Sequence, residues 1–147
     1  MEYNYNEDSF HDNLIHGVIF YSDVGEFSSD LAFDIDYIEQ WRVADDGTVE
    51  FVIFKALLKF TNVTDLKLLV DWGSTNNSLF SGHASGLYIN KIIKEKITSP
   101  ISEDYFLWRI ETNSSDSNIF FGASNMFLEI TGKSNIVNRQ YLLKKER

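Results

Sequence analysis

The sequence predicts a mainly β, antiparallel fold: a sandwich, or a partly open barrel or roll, with at most one or two short helices. Three observations lead there. Apolar residues recur mostly with period two, the repeat of a half-buried strand, and seldom with period 3.6. The alternating segments are short and are separated at regular spacing by turn-forming residues. Hydrophobic residues make up 44% and aromatics 15% of the 147 residues, enough to bury one core and so one domain. The domain is expected to span residues 1–147, with residues 1–9 and 144–147 frayed.

The first strand is expected at residues 14–22. Val24-Gly25-Glu26 then reads as a hairpin turn into a second strand at residues 27–38. In that strand Leu31, Phe33, Ile35 and Tyr37 alternate with Ala32, Asp34, Asp36 and Ile38. One face therefore belongs to the core and the other carries two carboxylates. Ala44-Asp45-Asp46-Gly47 is a strong turn, because glycine after aspartate supplies the positive φ that tight turns need. A third strand follows at residues 48–54 and continues over residues 56–63 after a bulge or bend near Lys55-Ala56.

Residues 64–72 alternate cleanly, with Leu66, Leu68, Val70 and Trp72 on one face and Asp65, Lys67 and Asp71 on the other. Residues 73–86 read as a long polar loop. Further strands are expected at residues 87–97, ended by Ser99-Pro100, and at residues 105–112, where Phe106, Trp108 and Ile110 share a face. A turn at residues 113–118 leads to a strand at 119–123, then to a strand or short helix at 126–131. Residues 136–143 close the fold. A short helix is compatible with residues 37–42 or 124–131.

Composition excludes several function classes. The chain has no cysteine, which removes disulfides, thiolate catalysis and cysteine-ligated zinc or iron–sulfur clusters. The polar, acidic start does not read as a signal peptide, and no apolar run approaches the roughly 20 residues of a membrane span. A cytoplasmic location is the expectation. Residues 1–50 hold 13 acidic side chains and one basic one, Arg42, a net of −12 within the −9 of the whole chain. Such a field disfavours nucleic acid and anionic membranes as partners and favours a protein with a basic surface.

No catalytic motif rises above background. There is no GxSxG elbow, phosphate loop or dinucleotide fingerprint. His11-Asp12 has the residue types of a base and its orienting carboxylate, but adjacent residues point apart on a strand, so the pair needs a turn. His16 shares a strand face with Leu14, Val18 and Phe20 and reads as packed or at a sheet rim, not as catalytic. His83 lies in the long loop. Asp34 and Asp36, about 7 Å apart along one strand face, could hold a cation if His11 or His16 lies on the neighbouring strand. They read more simply as a solvated or partner-binding face. Trp41, beside Glu39 and Arg42 at a strand end, is the best candidate for an exposed aromatic anchor.

Phe10-His11-Asp12, then Phe33-Asp34-Ile35-Asp36-Tyr37-Ile38 and Trp41, resemble a group of small bacterial β-rich proteins. Looser agreement follows at Phe60-Thr61-Asn62-Val63, Trp108-Arg109-Ile110-Glu111 and residues 120–123. Some of that group resemble immunity proteins encoded beside polymorphic toxins. Those immunity proteins bind and neutralise a cognate toxin; the resemblance implies a family of binding domains whose motifs carry no known catalytic role, and no cofactor is expected.

The sequence thus leads to a non-catalytic protein-binding domain whose contact residues are Asp34, Asp36, Glu39, Trp41, Asp45 and Asp46. The runner-up is a metal- or small-ligand-binding protein or enzyme using His11, Asp12, Asp34 and Asp36. A third reading is a homo-oligomer joined through an exposed strand edge.

Overall fold

The computed structural model describes residues 6–23, 28–71, 86–98 and 104–147. Among them, nine strands form one open antiparallel sheet. They are β1 (Leu14–Asp23), β2 (Ser28–Val43), β3 (Val49–Thr61), β4 (Thr64–Leu69), β5 (Leu87–Ile97), β6 (Tyr105–Thr112), β7 (Asn118–Ala123), β8 (Asn125–Ile130) and β9 (Asn135–Val137). The order across the sheet is β4-β7-β6-β5-β1-β2-β3-β8, and β9 pairs with β3. Two short 3-10 turns, Glu7–Phe10 and Lys144–Glu146, complete the description. No helix among the described residues is long and apolar enough to cross a membrane.

The predicted alternation sets the core. Leu31, Phe33, Ile35 and Tyr37 of β2 are buried against Ala56, Leu58 and Phe60 of β3. The seam between β1 and β5 is narrow, with Leu14 opposite Tyr88 and Ile15 opposite Leu87. The sheet folds about it, bringing β6 and β7 over β2 and β3. Phe60 sits at the centre, edge-on to Trp108 at 5.1 Å and to Phe121 at 4.7 Å between ring centroids. Burying each such ring contributes on the order of 2–3 kcal/mol. The Trp108 indole donates to the Ala123 carbonyl, so its polar atom is satisfied inside the core.

Two register shifts decide what the other face of the sheet carries. One lies in β1 between Ile15 and Gly17. It detaches His16 from the face that Val18 shares with Phe33 and turns it toward Asp36, so His16 does not share the face of Val18 as the plain alternation implied. The other lies in β2 at Glu39. An extra residue there moves Trp41 and Val43 onto the face of Asp34, Asp36 and Ile38, opposite Phe51 and Val49 of β3.

Both places where a short helix was possible are strands. Residues 37–42 belong to β2, and residues 124–131 contain β8. Trp41, Arg42 and Val43 each have a β3 partner, and ladder bonding to that partner outweighs the local helical spacing. The third strand runs unbroken through Lys55-Ala56. The closing strand is short, because after Val137 the chain leaves β3 and crosses the Asp34–Asp36 face. Residues 6–9 and 144–147, expected to fray, are bonded. Asn6 and Ser9 form a capping box, and Arg147 is ion-paired. Trp72, His83, Pro100 and the Val24-Gly25-Glu26 turn lie outside the described residues, as does almost all of the 73–86 loop.

Candidate functional site

Strand β2 positions Asp34 and Asp36 on one face, as the alternation requires, but that face is covered. Asp36 is 0% exposed. Its Oδ2 lies 2.6 Å from His16 Nε2 and accepts the Leu142 N–H at 2.8 Å. Its Oδ1 accepts from Arg147 Nε at 3.1 Å. The two terminal guanidinium nitrogens of Arg147 fork onto Asp34, at 2.5 and 3.3 Å. Leu142 is itself buried, so residues 138–147 form a lid over the carboxylates. Burying a carboxylate without partners would be prohibitive, and here both oxygens of each carboxylate have a partner.

Asp36 therefore does not belong to a solvated face, and the partly exposed Asp34 is ion-paired with Arg147. Both charges are committed inside the molecule. The neighbouring-strand condition for a cation site is met by His16, but the cation is the Arg147 guanidinium. Among the described residues no group of three or more His, Cys, Asp or Glu side chains converges as a metal site.

The His11-Asp12 pair does get its turn. The Glu7–Phe10 turn ends at His11, and Asp12 takes φ +64°, its N–H donating to the Ile89 carbonyl at 2.8 Å. His11 Nδ1 and Asp12 Oδ2 are 3.1 Å apart. Gln140 Nε2 donates to the same oxygen at 3.3 Å. The Ser9 hydroxyl engages Asn6 and makes no bond to His11.

The same turn forms one wall of an open cleft of about 460 Å³. Asp8, Ser9, His11 and Asp12 line that wall, Ile38, Trp41 and Phe51 line the β2–β3 side, and Gln140 closes one end. Two segments that the sequence suggested separately, Phe10-His11-Asp12 and Trp41, thus meet across one cavity. Trp41 is 66% exposed. Beyond the cleft the β2–β3 hairpin continues with Val43 and Val49 exposed on the same face. Its tip is the Asp45-Asp46-Gly47 turn, with Gly47 at φ +84°. Asp46 accepts from the Thr48 hydroxyl and backbone N–H, and these bonds hold its carboxyl below the ordinary aspartate value. Glu39 and Asp45 are exposed beside this surface.

Sequence reasoning missed Arg147, Leu142 and Gln140. The available signal was an Asp-x-Asp pair in a well-patterned strand, which demands a cation if its face is covered. It also missed the apolar hairpin face, although Trp41, Val43, Val49 and Phe51 alternate symmetrically about the Asp-Gly turn.

No family model, no curated protein and no solved structure matches the chain.

Proposed function

We propose that the chain is a non-catalytic protein-binding domain acting in the cytoplasm, of the kind that neutralises a cognate bacterial toxin. Its contact surface is the projecting half of the β2–β3 hairpin. The observation that carries this reading is Trp41: a large aromatic, 66% exposed, held in a paired strand instead of a loop. Val43 and Val49 extend the apolar patch, while Glu39, Asp45 and Asp46 ring it with negative charge. An aromatic anchor with an apolar centre and a charged rim is the usual anatomy of a protein interface.

The mechanism is occlusion. The hairpin lays Trp41 into a recess of a basic partner, and the acidic rim speeds encounter and selects against acidic proteins. Asp34 and Asp36 take no part, since both are already engaged by Arg147 and Asp36 is fully buried. No bond is made or broken in this reading.

The test is affinity capture from the source cell's lysate with wild type, Trp41→Ser/Val43→Ser and Asp45→Asn/Asp46→Asn, followed by titration calorimetry on the recovered partner. Wild type should hold a basic protein that the Trp41→Ser/Val43→Ser variant loses. The Asp45→Asn/Asp46→Asn variant should bind more slowly and with less salt dependence. A partner that binds all three proteins equally would remove the hairpin from the contact surface. Capture of nothing by wild type would count against a binding role.

A further inference from the structure

We propose that the 460 Å³ cleft between the Glu7–Phe10 turn and the β2–β3 hairpin is a receptor for one arginine side chain of the protein partner. This rests on the binding reading above and names the chemical group recognised.

The lining supports a cation. It contains two carboxylates, Asp8 and Asp12, two aromatic rings, Trp41 and Phe51, and neither lysine nor arginine. The contact of His11 Nδ1 at 3.1 Å and the hydrogen bond from Gln140 Nε2 both fall on Asp12 Oδ2. They fix its orientation and leave Oδ1 open to a further donor. Asp8 has no ion-pair partner among the described residues; its backbone N–H is held by Asn6 Oδ1, which fixes its position in the turn. Two other clefts differ in kind. One is lined by Glu7 with Lys94, already paired at 2.5 Å, and the other by Arg109 near Glu111.

Guanidinium fits better than ammonium. Its planar face stacks on an indole, and its edge donates in a fork to a carboxylate. The chain shows this chemistry on the same sheet face, where Arg147 forks onto Asp34 and reaches Asp36. In the cleft the carboxylates are present and the guanidinium is left for the partner to supply. The volume lies within the roughly 300–1,000 Å³ of ligand pockets, so a whole side chain enters.

The experiment titrates the ¹⁵N-labelled full chain with N-acetyl-arginine amide and follows the Trp41 indole N–H by NMR. N-acetyl-citrulline amide, of the same shape without the charge, is the control. Arginine amide should give a saturable shift at Trp41, with the buried Trp108 indole unmoved, and citrulline amide should give none. Asp8→Asn/Asp12→Asn should weaken arginine amide about tenfold. Asparagine tolerates the positive φ at position 12, so the turn is retained. Equal shifts from citrulline amide, no shift at Trp41, or an unchanged affinity in the double variant would each overturn the arginine receptor. If that happens while Trp41→Ser/Val43→Ser still loses the captured partner, the binding surface stands and only the cleft assignment falls. Failure of capture itself removes the broader reading.

Discussion

Asp36→Asn should destabilise the domain by about 3 kcal/mol, although the substitution is nearly isosteric. Asp36 is fully buried and serves three donors: the Leu142 N–H and His16 Nε2 on Oδ2, and Arg147 Nε on Oδ1. Asparagine offers one acceptor and one NH₂ group. If its oxygen takes the Oδ2 place, the NH₂ confronts Arg147 Nε; if it takes the Oδ1 place, the NH₂ confronts Leu142 N–H and His16. In either case donor meets donor, and the Arg147 guanidinium loses half of its compensating charge. Removing one partner of a buried ion pair costs roughly 3–5 kcal/mol, and the retained shape and Asp34 place this change at the low end. For a 147-residue domain the unfolding entropy near the midpoint is about 0.3 kcal/mol per kelvin, so the midpoint should fall by about 10 °C. Scanning calorimetry on wild type, Asp36→Asn, Arg147→Met and the double variant gives the pairwise coupling directly. The two single changes should cost far more than additivity allows in the double. A midpoint shift under about 2 °C for Asp36→Asn, or additive costs, would refute the structural role of this corner.

Four further outcomes are expected. Phe60→Ala, at the junction of the Phe33, Trp108 and Phe121 rings, should cost about 3–5 kcal/mol, read as a lower urea midpoint with unchanged slope. Gly122→Ala should destabilise, because a Cβ there would lie 2.7 Å from Thr64 Oγ1 and 2.8 Å from the Tyr105 ring; co-substitution of Tyr105→Phe should not rescue it, since the ring carbon remains. Trp41→Ser should change stability by no more than about 0.5 kcal/mol in calorimetry, since the indole is mostly in water. The hydrogen bond from Lys94 holds the Glu7 carboxyl below the ordinary glutamate value. Its contribution is therefore complete above about pH 4.3 and is lost as pH falls through the lower folded value. Glu7→Gln should thus be less stable than wild type at pH 7, and the gap should close toward pH 3 in parallel denaturation curves.

What was legible in the sequence follows from the length of the interactions involved. The core face of β2 could be read because Leu31, Phe33, Ile35 and Tyr37 obey the strand period, which the backbone imposes locally. Boundaries at β5 and β6 were legible for the same reason. The bulges at His16 and Glu39 were not, because an extra residue is defined only against a partner strand. Both mattered for the site: one aims His16 at Asp36, the other carries Trp41 to the face of Ile38. The ion pairs of Arg147 span more than 100 positions, as the separations of 111 from Asp36 and 113 from Asp34 show, and no local pattern reports such a pairing. A short helix was possible where spacing around Trp41 and Met126 was ambiguous, and pairing with β3 resolved both as strand.

The folded chain also redistributes the charge that the sequence concentrates in residues 1–50. Several of those acids are ion-paired with bases, most of them from the remainder of the chain: Asp34 and Asp36 share Arg147, Glu7 pairs with Lys94, and Glu50 with Arg42. Asp8, Asp12, Glu39, Asp45 and Asp46 have no lysine or arginine partner among the described residues, and they border the cleft or the hairpin that carry Trp41. The net −12 of the first 50 residues is therefore a poor measure of the field a partner meets; what counts is the subset left without a cation. Two carboxylate pairs bound the same face of β2, one satisfied by an internal guanidinium and one bordering an aromatic recess that lacks it. A basic partner approaching this face gains less from Asp34 and Asp36, whose charges are partly offset by Arg147 at contact distance and, for Asp36, buried. It gains most where exposed acid and exposed indole coincide, because a cation placed there trades some of its hydration for both a carboxylate and a π face.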